Sequence, residues 1–278
     1  MIAPRPARWL LFPALALFIT ASSFGEAAAP ACQPVETYRA AFDPKPVGGP
    51  SIAVPVTLHI MERPGRPCAV REAWTAEKLA KLFGQDTTDP VGVNAAWRTT
   101  RLRFVVREVA LHDFEPPAPL RNDDGDILTP GGGPIGSKAW ETAFASLVSQ
   151  FHRAGSINVY LWEAMEPGIT GFGRSPRSGN GKATIWLGAV CAKPLLLSPE
   201  QCARVAAHEL GHALGLYHVE PGGCGGVPTE NLKLCLDLTA SCGEPASPPR
   251  LMKPGFTGTI LCPLEVSSAE NMAQTILK

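Results

Sequence analysis

The chain has 278 residues, 45% hydrophobic and 18% charged, the composition of an ordinary soluble globular protein. Its 25 basic and 25 acidic side chains cancel, so no basic field exists to hold nucleic acid or an anionic membrane surface. The 28 prolines and 27 glycines predict many turns and ordered loops, and the chain carries no internal repeat or heptad run.

Residues 1–29 read as a secretory signal peptide. Arg5 and Arg8 supply a positive start, and Ala27, Ala28 and Ala29 supply the small residues of a cleavage site. The apolar run from Trp9 to Ile19 falls short of the roughly 20 residues that span a bilayer. An uncleaved anchor is the alternative. The reading implies a secreted or extracytoplasmic protein without stable membrane insertion after cleavage, and a single domain over residues 30–278. All eight cysteines lie beyond the signal: Cys32, Cys68, Cys191, Cys202, Cys224, Cys235, Cys242 and Cys262. An even count in an exported chain predicts disulfides, although eight cysteines allow about 105 connectivities. Cys68 follows a proline and could instead be a free thiol that blocks a metal; a disulfide is the favoured reading.

In chain order, residues 30–50 read as an extended lead-in. Ile52, Val54, Val56, Leu58 and Ile60 alternate as in a strand, with Pro55 predicting a bulge or a free edge. Trp74 to Trp97 reads as helical, interrupted near Asp89 and Pro90. Leu102, Phe104 and Val106 form a second strand, and residues 113–136 an acidic, glycine-rich excursion. Within it, Asn122 to Asp126 offers three carboxylates, too few and too irregularly spaced for an EF-hand. A calcium ion there is conceivable but unsupported, and a solvated turn is preferred. Helix is predicted from Ser137 to Arg153, where Trp140, Phe144, Leu147, Val148 and Phe151 share a core face. Ile157, Val159 and Leu161 make a third strand, Gly168 to Gly181 a loop, and Ala183 to Leu187 a short strand. His59, His112 and His152 have no ligand spacing and are treated as structural or surface residues.

The most informative stretch comes next. His208 and His212 stand one turn apart and share a helix face, so both imidazoles can reach one tetrahedral Zn²⁺. Glu209 lies roughly 100° around the helix, placed to take a proton from a water on the metal. Ser198, Pro199 and Gln201 form a helix start with a capping box. Gly215 lets the helix end in a left-handed turn that brings back His218 as third ligand. The fourth position is left for water, the mark of catalytic rather than structural zinc.

The run His208-Glu209-Leu210-Gly211-His212, extended by Gly215 and His218, resembles the metzincin clan of zinc endopeptidases. Arg250-Leu251-Met252-Lys253-Pro254 resembles that clan's methionine turn, with Met252 beneath the zinc. Both pappalysin-like and matrixin-like members remain in play. The linker from His218 to Met252 is long for the clan and holds Cys224, Cys235 and Cys242. Motif-level similarity is confined to residues 208–218. The order of elements extends it over residues 52–276.

The resemblance implies an α+β fold: a metzincin-like zincin domain with a twisted mixed sheet, a zinc-binding active-site helix, a cleft and a disulfide-stapled C-terminal part. It also implies that Ala183, Thr184, Ile185, Trp186 and Leu187 form the sheet edge that pairs with an extended substrate. The expected function is a zinc metalloendopeptidase with one catalytic zinc on His208, His212 and His218. Glu209 is the expected general base, and Gly215 and Met252 the expected structural support. The expected partner is a protein or peptide substrate. The alternative is a secreted zinc-containing binding protein without turnover. The sequence sets neither cleavage preference nor oligomeric state.

Overall fold

The computed structural model describes residues 32–42, 51–128, 138–167, 169–178, 181–192, 196–218, 233, 251–252 and 261–278. The expected signal peptide and the linker cysteines Cys224, Cys235 and Cys242 lie outside these residues. Runs of β-branched and aliphatic residues form strands β1 (Ile52–Glu62), β2 (Leu102–Asp113) and β3 (Ile157–Trp162). Two shorter strands, β4 (Gly171–Arg174) and β5 (Thr184–Gly188), complete a five-stranded sheet of order β2-β1-β3-β5-β4. Every neighbouring pair is parallel except β4 with β5. The fold is α+β with a mixed sheet.

Pro55 sits where β1 pairs with β2 alone, because pairing with β3 begins at Val56. Its missing N–H therefore costs no bond on the β3 side. The register shifts just beyond it, between Val56 and Thr57, which is the bulge the proline predicts.

The alternation of strand side chains builds two cores. Val56, Leu58, Val159, Leu161, Ile185 and Leu187 pack in one cluster with Val205, Leu210 and Ala213 of helix α6 (Pro199–Ala213). On the opposite face, Met61, Tyr160, Trp162 and Trp186 pack with Trp140, Phe144, Leu147 and Val148 of helix α5 (Lys138–Phe151). Helix α5 thus covers one face of the sheet, as its stripe predicts, and α6 packs on the other with further helical residues around it.

Several local expectations are corrected. The lead-in contains helix α1 (Val35–Ala41), held by its buried Tyr38 and by the Cys32–Cys68 disulfide just before it. The stretch around Trp74 to Trp97 is three short helices, α2 (Ala69–Ala73), α3 (Ala76–Leu82) and α4 (Val93–Ala96). Trp74 and Trp97 act as C-caps there, and both rings are buried rather than lying on one helix face. The Gly168–Gly181 loop conceals β4. The chain ends in helix α7 (Pro263–Ile276), with Met272 buried in it. In the acidic turn, Asn122 Oδ1 accepts from the Asp126 backbone N–H at 2.8 Å, and Arg63 donates to the Gly125 carbonyl at 3.5 Å. A guanidinium, rather than a set of converging oxygens, faces this loop. No helix among the described residues is long and apolar enough to cross a membrane.

The sheet face under α5 carries a histidine pair, His59 buried and His112 half-buried. His59 Nε2 donates to Asn158 Oδ1 at 2.9 Å, which leaves Nδ1 to accept from His112 Nε2 at 3.0 Å. His59 also stacks on Tyr160, with ring centroids 4.7 Å apart. Burial drives its pKa down to about 3, only partly countered by Asn158. A folded-state pKa below the unfolded value near 6.5 means that this stability is full above that pH and is lost as pH falls toward 3. Wild type should therefore exceed His59→Gln in unfolding free energy by about 2 kcal/mol less at pH 5 than at pH 7. Urea titrations at the two pH values check this, and a constant difference would contradict it.

Candidate metal centre

Helix α6 starts as its sequence dictates. Ser198 Oγ accepts from the Gln201 backbone N–H at 3.2 Å, and the Gln201 side chain accepts from the Ser198 N–H at 2.8 Å. Cys202 in the first turn is joined by a disulfide to Cys191, just after β5, so the helix start is tied to the sheet. Trp97 Nε1 donates to the Ala207 carbonyl at 3.2 Å and fixes the helix one residue before His208.

The helix ends where Gly215 adopts φ +79°, a conformation costly for any residue with a β-carbon. The N–H of Gly215 donates to the His212 carbonyl and that of Leu216 to the Gly211 carbonyl, both at 2.9 Å. This pair of bonds is the Schellman arrangement, and it turns the chain back over the helix. His218 arrives with its Nε2 at 3.1 Å from both His208 Nε2 and His212 Nε2. The three histidines of the motif are thereby brought together as a group able to hold a metal ion.

The outer ring nitrogens show which way these rings are protonated. His208 Nδ1 lies 2.8 Å from the Leu251 carbonyl, and His212 Nδ1 lies 2.8 Å from the Leu216 carbonyl. A carbonyl can only accept, so both Nδ1 atoms carry the proton and both Nε2 atoms present lone pairs. Burial holds His208 at a pKa of about 4 and His212 well below its ordinary value. Both are neutral at neutral pH, the state a metal ligand requires. The Nε2 lone pairs of His208 and His212 both face the Nε2 of His218 at 3.1 Å, where a proton on His218 or a shared cation would satisfy them. The donor set therefore fits a metal. Carbonyl support behind His208 and His212 is the arrangement that orients metal-ligating histidines.

Glu209 is buried, and no hydrogen bond or ion pair satisfies its carboxylate among the described residues. Burial alone pushes its pKa up to about 8. Strand β4 is what covers it. A β-carbon at Gly171 would lie 3.2 Å from Glu209 Cγ, and one at Gly173 would lie 2.9 Å from His212 Cβ while running into the Glu209 carbonyl. Glycine at both positions is what lets the strand rest directly on the helix.

The sheet edge is not where the sequence reading puts it. Thr184, Ile185, Trp186 and Leu187 lie in β5, paired with β3 on one side and β4 on the other, and all are buried. Ala183 just before them is buried too, with its carbonyl accepting from the Asn158 N–H. The edge strand is β4. The Gly188 N–H donates to the Thr170 carbonyl, so the pairs Phe172–Trp186 and Arg174–Thr184 carry the remaining ladder bonds. The backbone groups of Gly171 and Gly173 consequently point outward and meet no partner among the described residues. Sequence reading missed this strand because its glycines suppress the β-signal.

Met252 is fully buried, and its Sδ packs where a β-carbon at Gly211 would stand. Leu251 beside it supports His208, so this one turn both backs the helix and orients a ligand. The need for glycine at 211, which leaves room for Met252 under the helix, is a tertiary fact that the motif spacing does not carry. Met252→Leu conserves volume and should cost less than about 1.5 kcal/mol with the metal retained. Thermal unfolding and metal analysis of that variant check it; loss of metal with the fold intact would mean that the thioether does more than pack.

No family model matches this chain, and no curated protein matches it. A solved structure described as "Structure of a chaperone-substrate complex" is similar at 14% identity and a TM-score of 0.39. The match covers 82% of this chain, which spans 35% of that one.

Proposed function

We propose that this chain is an exported zinc-dependent metalloendopeptidase, similar in plan to the metzincins. The observation that carries the reading is the convergence of three imidazole Nε2 atoms, two with their Nδ1 protons committed to backbone carbonyls. Zinc bound there would supply Lewis-acid chemistry, lowering the pKa of a water toward about 7 and polarising the scissile carbonyl.

The chain's own groups do the rest. Leu251 and Leu216 fix the ring orientations of His208 and His212 through their carbonyls. Glu209, next to the first ligand and without a competing partner, accepts the proton of the attacking water at its carboxylate and returns it to the leaving amine. The outward N–H and C=O groups of Gly171 and Gly173 offer a ladder to an extended peptide beside Glu209. Glycines at these positions keep that ladder close to the helix. The Cys32–Cys68 and Cys191–Cys202 disulfides suit an oxidising compartment, in keeping with export. Cys262 is also disulfide-bonded.

Incubation of the purified mature protein with casein tests this reading. Cleavage should stop on chelation and return with zinc. Zinc binding without cleavage would assign the chain instead to a binding protein that uses the cleft without turnover.

A further inference from the structure

Strand β4 has four residues and a ladder on one side only. Two of the four are glycines, which add backbone freedom and no packing. Such a strand should fray, yet in the proposed function it must hold a peptide at a fixed height over Glu209. Besides the contact of its glycines with α6, what holds it comes from the opposite side of the sheet. Phe172 packs on Trp186 with centroids 5.1 Å apart and lies near Phe144 at 6.1 Å.

Arg174 reaches further, onto α5. Its two terminal nitrogens donate to the two carboxylate oxygens of Glu141, at 2.9 and 2.8 Å. Its guanidinium carbon also stands 4.7 Å from the Phe144 ring centroid and 5.1 Å from that of Trp140. The Arg174 side chain is only 16% exposed, whereas that of Glu141 is 46% exposed, so the ring contacts are largely withdrawn from water and the ion pair is partly screened. With Glu141 occupying the fork, the guanidinium serves the strand rather than an anionic substrate.

We infer that Arg174 is a positioning residue: clamped between Glu141 and the rings of Trp140 and Phe144, it fixes the outward edge of β4 over the metal centre and so sets the affinity for extended peptides. The role rests on the peptidase reading for the identity of the ligand, whereas the clamp itself does not. Lysine cannot reproduce it, because a fork that also stacks on a ring needs the planar guanidinium.

The test has two arms. Hydrogen exchange on the metal-free protein reads the amides at positions 172 and 174, which bond to β5. Arg174→Ala should speed both by about tenfold, Arg174→Lys by less, and Glu141→Gln in the same direction. The second arm measures the Kd of a long extended peptide in zinc-loaded Glu209→Gln protein, where turnover is silenced. Adding Arg174→Ala or Glu141→Gln should weaken binding by about tenfold or less, with zinc content unchanged. In the active enzyme the loss should appear in KM, with kcat nearly constant.

Unchanged exchange at β4, unchanged Kd, or a fall in kcat at constant KM would overturn the inference, as would a parent protein that binds no peptide. Should Arg174→Ala fail to fold, Arg174→Lys and Glu141→Gln carry the same test. Peptide binding that depends on Arg174 in a wild type that never cleaves would sink the peptidase reading and leave the clamp standing.

Discussion

The double variant His208→Ala, His212→Ala is expected to lose its metal entirely, from about one zinc per chain in wild type to none, and all hydrolysis with it. Two of three converging Nε2 atoms vanish, and His218 alone cannot make a site. The change also leaves the Leu251 and Leu216 carbonyls without their imidazole donors. Each orphaned carbonyl costs about 1–3 kcal/mol, so some loss of stability should accompany the loss of metal. Chelated wild type is therefore the proper reference for fold, compared by circular dichroism. Elemental analysis of protein purified without added metal decides the matter. Full zinc retained in the double variant would mean that the metal sits elsewhere.

Glu209→Gln should have the second largest effect, at least about a hundredfold in kcat and up to about 10⁴-fold. The amide is nearly isosteric but cannot accept a proton. The environment makes this a clean substitution. Burial pushes the pKa of the metal-free carboxyl up to about 8, no hydrogen-bond partner among the described residues depends on its charge, and glutamine fills the same space. Fold and metal content should thus be preserved, with stability within about 1 kcal/mol of wild type. Single-turnover kinetics beside metal analysis checks both halves. Activity within about tenfold of wild type would place the base elsewhere, since general acid–base catalysis is worth more than that.

The site was legible in the sequence to the degree that it is local. The spacing of His208, Glu209 and His212, the cap at Ser198 and the turn at Gly215 all act within one or two turns of chain. Each appears as read. The metal itself and the peptidase activity remain proposals. The sheet was legible where long apolar runs alternate, as in β1 and β3. It failed at β4, because Gly171 and Gly173 are selected by contact with α6 rather than by strand propensity. That failure moved the expected edge one strand inward, to residues 183–187. Trp74 and Trp97 mark the same limit. Both end short helices and bury their rings, with their indole N–H groups donating to the Trp162 and Ala207 carbonyls. No periodicity announces such contacts.

The carbonyls behind the two helix histidines come from very different distances along the chain. His212 is steadied from four residues away, His208 from 43. A nascent chain that has emerged only through residue 218 would hold every ligand and yet lack the brace on one of them. Metal capture with full affinity then becomes a late event, delayed until the C-terminal part has docked beneath the helix. Under the proposed peptidase reading, a chain assembled in this order reaches its full metal affinity, and with it full activity, only when it is complete.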